Sequence, residues 1–251
     1  MKKTNVTSDG RFAGIVGEDY DRLLRAIPHI PAFEHGIATF ARKGLPKKLS
    51  GQAKVLDLGC GNGMTTMALC AEMKNVHIVG VDIEPTMLKQ YEARVIEGQK
   101  SALRDANISI TVTQNDALQF LKGCEANSFD VVVSGYVLHN LPQQVRSEIV
   151  KEIARVLRPN GRFVNGDKIA QNDEKVHQRS LLKQLTTIVN VYSSPADRAY
   201  GIEWVEHYAR DNQPDLKYKE SEVFDSLKAA GFKKIKIVKR WNMEALVSAD
   251  K

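Results

Sequence analysis

The chain has 251 residues and a formal net charge of +6, with 43% hydrophobic and 26% charged residues. This composition is typical of a globular protein and excludes a fibrous or disordered chain, and the length suits one α/β domain carrying an insertion. No apolar run is long enough to span a membrane, and the polar start MKKTNVTSDG lacks the apolar core of a signal peptide. Three cysteines without a paired motif favour a reducing compartment, so we expect a cytoplasmic protein.

The first 44 residues are predicted to form a helical cover. Apolar residues at helical spacing between positions 19 and 43, interrupted by Pro28 and Pro31, indicate two short amphipathic helices. From residue 53 the pattern changes to alternating strands and helices, which is typical of a parallel sheet with helices on both faces. The predicted elements are strand 53–58, helix 65–73, strand 77–81, helix 86–97, strand 108–113, helix 118–122, strand 129–134, helix 143–157 and strand 161–166.

The alternation stops after Lys168. Residues 172–212 are helical by pattern, and the gap is longer than an ordinary loop. Because this insertion follows the fifth strand, we expect it to cover a pocket at the carboxyl ends of the strands. Helix 221–230 and two nearly adjacent strands, 233–239 and 243–248, end the chain as an antiparallel hairpin. The sequence therefore predicts a doubly wound, Rossmann-like α/β fold with a seven-stranded sheet, its last strand antiparallel, over residues 45–251.

A glycine-rich turn, VLDLGCGNG at 55–63, lies where the first strand becomes a helix. Glycines there permit a tight turn and close approach of a ligand to the backbone. A dinucleotide-binding dehydrogenase would place a third glycine where this chain has Met64, which disfavours that class. Asp57 would repel a pyrophosphate but would attract the cationic amino-acid end of a sulfonium ligand.

Polar residues also follow the next strands of the predicted sheet. Asp82, about twenty residues beyond the glycine turn, can accept hydrogen bonds from both ribose hydroxyls. The third strand ends in Gln114-Asn115-Asp116-Ala117, where an amide and a carboxylate can receive an adenine amino group. The fourth strand ends in Ser134-Gly135-Tyr136.

With these motifs, the chain resembles the class I S-adenosylmethionine-dependent methyltransferases of the small-molecule type. The similarity covers residues 18–169 and 220–249, and its strength lies in several motifs that occur in the right order and at the right spacing. The matching segments are EDYD at 18–21, VLDLGCGNG at 55–63, GVDIEP at 80–85, QNDA at 114–117, FDVVVSGYVLHNLP at 129–142, LRPNGRF at 157–163 and AGF at 230–232.

The resemblance implies that S-adenosyl-L-methionine is the cofactor and gives roles to single residues. It implies that Asp57, Gly59 and Gly61 line the methionine moiety. It implies that Asp82 binds the ribose, and that Ile83 packs on the adenine. It implies that Asp116 contacts the adenine amino group, with Ala117 beside it, and that the backbone of Ser134 lies near the sulfonium. It also implies that Tyr20 closes over the cofactor. An ordinary turn, a helix cap or plain packing is the alternative role at these positions.

His139 is the candidate general base, because it follows the fourth strand at the mouth of the predicted crevice. A helix cap or packing under the cover is its alternative role. Other side chains could also face the pocket, although an aromatic stripe is more often packing; these are His177, His207, Tyr192, Tyr200, Trp204 and Trp241. The histidines show no pair at metal-ligand spacing with a carboxylate partner, so we predict no metal.

Transfer of a methyl group to a small-molecule acceptor is the leading interpretation, in a monomer or a homodimer. Enzymes of RNA modification, including synthesis of a modified cofactor for RNA, are the second. The basic run at 233–240 alternates with apolar residues and fits the wet face of a strand, so a nucleic-acid partner is not expected. A protein that binds the cofactor without turnover, as a regulator or structural subunit, is the third interpretation.

Overall fold

The fold is a seven-stranded sheet between helices, and in this computed structural model residues 12, 14–48, 51–99 and 106–251 are described. The polar start at 1–10 lies outside the described residues. The helices are α1 Ile15–Ala26, α2 Ile30–Arg42, α3 Met64–Glu72, α4 Pro85–Gln99, α5 Ala117–Gly123, α6 Gln143–Val156, α7 Glu174–Val191, α8 Arg198–Asp211 and α9 Glu220–Ala229. The strands are β1 Ala53–Leu58, β2 Val76–Asp82, β3 Ile108–Gln114, β4 Phe129–Gly135, β5 Leu157–Lys168, β6 Lys233–Trp241 and β7 Glu244–Asp250.

The strand order is β3-β2-β1-β4-β5-β7-β6. β1 pairs in parallel with both β2 and β4, while β7 runs antiparallel to β5 and β6. The chain reverses its direction across the sheet between β1 and β4, and a crevice opens there at the carboxyl ends of the strands. The predicted doubly wound fold and its antiparallel last strand are confirmed.

Alternating side chains of the strands build a core on each face of the sheet. Val55 packs with α2 and α3, whereas its neighbour Leu56 packs with α5 and α6 on the opposite face. Both residues are fully buried. Near-continuous apolar strands are expected when both faces of a parallel sheet are covered.

Helix α2 lies directly on the sheet because β5 carries a glycine beneath it. A Cβ atom at Gly166 would stand 2.6 Å from Ile37 Cδ1 and 2.7 Å from Phe33 Cζ. These two helix residues are fully buried. The close approach brings α2 to the carboxyl ends of β4 and β5, beside the crevice.

The largest difference from the sequence prediction is at β5. The predicted turn at Pro159-Asn160-Gly161 is part of the strand, which begins at Leu157 opposite Phe129. The pairing register shifts between Phe129 and Val131, and Asn160 adopts a φ of 65°. An irregularity of this kind absorbs the extra residues without ending the strand.

The predicted helical insertion consists of α7 and α8, with a short turn at Pro195–Asp197 between them. These two helices pack on each other and on α1. None of the described helices is both long and apolar enough to cross a lipid bilayer. The lysines of the basic run lie exposed on the edge strand β6, as a solvated strand face requires.

Candidate active site

The glycine turn between β1 and α3 begins the site. Gly59, Gly61 and Gly63 all have positive φ, at 72°, 49° and 85°. A Cβ atom at Gly59 would stand 2.2 Å from Val137 Cγ2, in the loop that follows β4. The turn therefore needs glycine for its conformation and for its contact with the neighbouring loop.

Asp82 joins the glycine turn to the end of β2. Its Oδ2 accepts a hydrogen bond from the Gly61 N–H at 2.8 Å, and its Oδ1 accepts one from the Glu84 N–H at 2.9 Å. Each carboxylate oxygen keeps a second lone pair. Asp82 is therefore fixed in position and can still accept hydrogen bonds from two vicinal hydroxyls.

The end of β3 supplies a second carboxylate. Asp116 is the N-cap of α5, and its Oδ1 accepts a hydrogen bond from the Gln119 N–H at 2.9 Å. It also faces the crevice together with Asn115 and Ala117. The helix-cap role and the ligand-facing position thus occur in the same side chain.

These residues enclose a cavity of about 530 Å³, called here the main cavity. The predicted residues Tyr20, Gly59, Gly61, Asp82, Ile83, Asp116 and Ala117 all line it. Its far wall comes from the loop after β4, from α6, from Arg210 near the end of the insertion, and from Leu216 just beyond it. Among the described residues that line it, Arg210 alone carries a full positive charge.

Two predicted cofactor residues lie beneath the cavity wall. Asp57 and Ser134 are fully buried, and Gly135 lines the cavity in place of Ser134. Asp57 Oδ2 accepts a hydrogen bond from Thr66 Oγ1 at 2.6 Å, and burial raises the pKa of its carboxyl to about 7. Contact of Asp57 and Ser134 with the cofactor stays a prediction.

A carboxylate that the sequence analysis missed stands in the main cavity. Glu34 of α2 accepts a hydrogen bond from Thr65 Oγ1 at 2.9 Å. Burial raises the pKa of its carboxyl to about 7. The sequence did contain a signal for Glu34, because a glutamate on the apolar face of an amphipathic helix needs a polar partner inside the fold.

A small second cavity of about 20 Å³, called here the side cavity, lies next to the main cavity. The two share wall residues of α1, the preceding segment and the loop after β4, namely Phe12, Tyr20, Leu24 and Tyr136. The basic side chains of the side cavity are His139, Lys168 and His207, and Tyr20, Tyr136, Tyr208 and Trp204 complete its polar lining. The candidate base therefore faces the side cavity rather than the main one.

His139 is held by a buried carboxylate at the end of β5. Its Nδ1 is hydrogen-bonded to Asp167 Oδ1, while Asp167 Oδ2 accepts the backbone N–H groups of Leu138 at 3.0 Å and His139 at 3.3 Å. Burial and the charge of Lys168 lower the pKa of His139. We assign the neutral tautomer with a proton on Nδ1, which leaves a lone pair on Nε2.

Asp211 of α8 brings further charge to this cluster. The Lys168 ammonium is bonded to Asp211 Oδ2 and lies 4.0 Å from the centre of the Tyr208 ring. The Nε2 atoms of His139 and His207 are each 3.7 Å from the same oxygen. By distance alone, His139, His207 and Asp211 could hold a metal ion. Lys168, however, already provides a positive charge beside Asp211. The absence of a metal stays a prediction.

The other predicted candidates mainly join the insertion to the rest of the chain. Tyr192 and Trp204 both donate to Asp19, the latter at 3.1 Å, and Trp204 also lines the side cavity. His177 is bonded to Asn212 at 2.7 Å. Tyr200 stacks on Tyr192, and Trp241 packs against His29 and Phe33. The packing role predicted for most of these aromatic residues fits their positions.

Several polar residues of the site carry no family motif. Asp167 and Lys168 end an apolar strand, and a charged pair at that point is the signal that sequence reasoning overlooked. Arg210 and Asp211 lie one helical turn after His207, and this spacing is the sequence signal that they share a helix face with it. The approach of Asp211 to His139 depends on how α8 packs against α1.

Comparison with known proteins finds a methyltransferase domain and methyltransferases among the similar chains. Residues 55–161 match the family model described as a methyltransferase domain. A demethylmenaquinone methyltransferase of Lactococcus lactis is 33% identical over 165 residues, covering 65% of this chain and 60% of that protein. A carboxy-S-adenosyl-L-methionine synthase of Nautilia profundicola is 24% identical over 197 residues, covering 77% of this chain and 75% of that protein.

A solved structure extends the similarity to nearly the whole fold. An O-methyltransferase family protein from Burkholderia thailandensis superposes with a TM-score of 0.64 at 14% identity, covering 98% of this chain and 63% of that one. This chain thus spans less than two thirds of both the Lactococcus and the Burkholderia proteins. At this identity the structural likeness concerns the fold.

The doubly wound sheet, the glycine turn and the acid after β2 define a protein that binds an adenosine-containing cofactor. Asp82 after β2, the apolar Ile83 and the carboxylate-rich main cavity fit a nucleoside with a cationic tail. The methyltransferase-domain match over residues 55–161 and the similar proteins support a class I S-adenosylmethionine-dependent methyltransferase.

Proposed function

We propose that this protein transfers the methyl group of S-adenosylmethionine to a small-molecule acceptor. The main cavity carries the proposal, because its walls combine the cofactor motifs with Arg210 from the insertion and Leu216 from the segment that follows it. A pocket roofed by helices favours an enclosed small molecule over a duplex or a folded RNA. The activity named for the Lactococcus relative, on demethylmenaquinone, supports an acceptor of this kind.

The cofactor, when bound, supplies a methyl group that its sulfonium has already activated for in-line displacement. The protein's part is then alignment and exclusion of water. Asp82 would bind the ribose hydroxyls, and Asp116 would receive the adenine amino group beside Ile83 and Ala117. Tyr20, which lines both cavities, would close the site over the ligands.

His139 would accept the proton that an acceptor loses during transfer. Its neutral imidazole, oriented by Asp167, has the arrangement of a general base held by a second group. A His139→Ala variant should lose activity while keeping most of its cofactor affinity. Full turnover by that variant would exclude the base role.

Calorimetric titration with S-adenosylmethionine, S-adenosylhomocysteine and NADH tests the cofactor site first. We expect both adenosyl ligands to bind and NADH not to bind. A screen of small acceptors, in which the formation of S-adenosylhomocysteine is measured, then tests the transfer. Turnover only on RNA would contradict the proposed acceptor class, and cofactor binding without turnover on any acceptor would favour a regulatory subunit.

A second candidate is the handling of a carboxylated form of the cofactor. The carboxy-S-adenosyl-L-methionine synthase of Nautilia matches 77% of this chain, more than the Lactococcus enzyme does. Arg210, the cationic residue among the described lining residues of the main cavity, could pair with an added carboxylate. Tighter binding of carboxy-S-adenosylmethionine than of S-adenosylmethionine, lost in Arg210→Met, would favour this candidate.

A further inference from the structure

The side cavity is large enough for a single polar atom. Its volume of about 20 Å³ exceeds the roughly 10–15 Å³ that one water molecule needs. Because it shares Phe12, Tyr20, Leu24 and Tyr136 with the main cavity, that atom can belong to a molecule whose body lies in the main cavity. A carboxylate or phosphate, with three or more heavy atoms, would not fit.

The polar side chains around this space set the chemistry of its occupant. His139 presents Nε2, which has no hydrogen-bond donor among the described residues. Lys168 presents an ammonium that Asp211 holds in place. An apolar group would leave Nε2 unsatisfied, and a cationic group would meet the ammonium at low dielectric. A hydroxyl satisfies both neighbours, since it donates to Nε2 and accepts from Lys168.

The walls shared by the two cavities favour a flat carrier for that hydroxyl. Three of the four shared residues are aromatic, and the rings of Phe12 and Tyr20 meet edge to face with centroids 5.6 Å apart. Tyr136, whose φ of 59° is rare for a side chain of its size, places its ring 6.2 Å from that of His139. A planar group can pass between such rings.

We propose that the side cavity binds the ionisable hydroxyl of a phenolic or enolic methyl acceptor, with His139 taking its proton and Lys168 stabilising the oxyanion. This inference rests on the proposed methyl transfer and names its acceptor class. The O–H bond breaks, its electron pair stays on oxygen, and the proton forms an N–H bond at His139 Nε2. An electron pair of the ionised acceptor, on its oxygen or on the conjugated carbon, then forms the new bond to the methyl carbon, as the S–C bond breaks and its electron pair returns to sulfur.

The arrangement also explains why Lys168 and Asp211 are buried together. The carboxylate neutralises the ammonium before the acceptor binds, so the charge does not stand alone in the core. When the hydroxyl ionises, the ammonium can donate to it with a second N–H. A phenol or enol gives up its proton far more readily than an aliphatic alcohol, so the class of acceptor follows from the use of a neutral imidazole as base.

The test uses 4-nitrophenol, whose neutral and ionised forms absorb at different wavelengths. The full-length protein is saturated with S-adenosylhomocysteine, and the probe is added at a pH below its own pKa. We expect the bound probe to show the phenolate spectrum. Nitrobenzene, which lacks the hydroxyl, should bind on the order of 10-fold more weakly.

A double variant removes both buried charges, of Lys168 and Asp211, without leaving either of them unpaired in the fold. The double variant Lys168→Met, Asp211→Asn should bind the probe as neutral phenol, with affinity lower by about 10- to 100-fold. Its affinity for S-adenosylhomocysteine should remain, which checks the fold. Lys217→Met with Glu174→Gln removes a matched ion pair of the insertion, with a 3.0 Å contact outside both cavities, and should leave the phenolate spectrum intact.

A second variant examines the proton acceptor independently. His139→Gln should raise the pH at which the bound probe becomes phenolate. No binding of the probe, binding as neutral phenol to the wild type, or a phenolate spectrum that persists in the double variant would overturn the inference. If the wild type fails to bind S-adenosylhomocysteine, the cofactor site itself has been wrongly assigned, which is a separate result.

Discussion

At the scale of single residues, Asp82 shows how one carboxylate can build the site and serve it. Its two oxygens hold the backbone at Gly61 and Glu84, so the turns after β1 and β2 are tied together. The same oxygens face the main cavity. The proposed ribose contact would therefore use the side chain that also fixes the two turns.

Asp82→Ala should weaken the binding of S-adenosylhomocysteine by about 1–3 kcal/mol, because two ribose hydroxyls would lose a buried acceptor. Asp82→Asn keeps one acceptor oxygen, so its affinity should lie between those of Asp82→Ala and the wild type. Calorimetry measures both, with Asp225→Ala, an exposed acid of α9, as the control. Wild-type affinity in Asp82→Ala would exclude the ribose contact.

Asp167 is a positioning residue, since it acts through His139. Its negative charge raises the pKa of His139, against the larger effect of burial, which lowers it. Asp167→Asn should therefore lower that pKa further. Because a base works when it is unprotonated, the acidic limb of the pH–rate profile should move to lower pH.

The maximal rate of Asp167→Asn should also fall, because the amide no longer fixes the histidine tautomer. The measurement is kcat/KM against pH, with Asp225→Asn as the matched control. A lower rate without any shift of the acidic limb would mean that Asp167 serves the fold alone.

At the scale of secondary-structure elements, the insertion is held to the N-terminal helix by one buried carboxylate. Asp19 of α1 accepts hydrogen bonds from Tyr192 after α7 and from Trp204 of α8. An exposed ion pair, Arg22 with Asp197 at 2.7 Å, joins the same elements at the surface. The two links allow a direct comparison of buried and exposed contacts.

Asp19→Ala should destabilise the protein by about 2–4 kcal/mol, because the Trp204 N–H would stay buried without an acceptor. Asp197→Ala, the control, should cost less than about 1 kcal/mol, as is usual for exposed ion pairs. Urea unfolding gives both values. Hydrogen exchange should rise in α7 and α8 of Asp19→Ala before it rises in β1; equal protection in both variants would contradict this view of the insertion.

At the scale of the whole molecule, the stability of the protein depends on two buried carboxyl groups, Glu34 and Asp57, whose pKa values are raised. The pKa values of Glu34 and Asp57 are each raised by burial to about 7. The folded state therefore keeps these protons at a pH where the unfolded chain has lost them. Their contribution to stability is present at acidic pH and is lost as the pH rises from the unfolded values towards about 7.

Glu34→Gln should remove part of this dependence. At pH values above about 7 the ligand-free variant should be more stable than the wild type, by on the order of 3 kcal/mol if Glu34 behaves independently of Asp57. At a pH near the unfolded value the two proteins should differ little. Thermal unfolding across this pH range makes the comparison, and Glu92→Gln, an exposed glutamate of α4, is the control. Parallel curves for wild type and Glu34→Gln would contradict the buried-acid account.

The amino-acid sequence by itself determined the fold class and pointed to seven residues that line the main cavity. Alternating apolar runs specify buried parallel strands locally, and the glycine turn and Asp82 are read from short segments whose conformation depends on near neighbours. The continuous β5 escaped prediction because Pro159 and Asn160 suggest a turn. Pairing of Leu157 with Phe129 and of Arg162 with Val131 and Asp250 keeps the chain in the sheet on both sides of that irregularity.

Only the tertiary structure decided which distant side chains meet. His139, Asp167 and Asp211 come from three elements, and no local pattern specifies that α8 packs beside the ends of β4 and β5. Likewise, the resemblance implied a contact between the backbone of Ser134 and the sulfonium, which stays a prediction; the pleat buries the Ser134 side chain and leaves Gly135 at the cavity. Periodicity determines which residues turn inward, whereas long-range packing determines which partner each of them finds there.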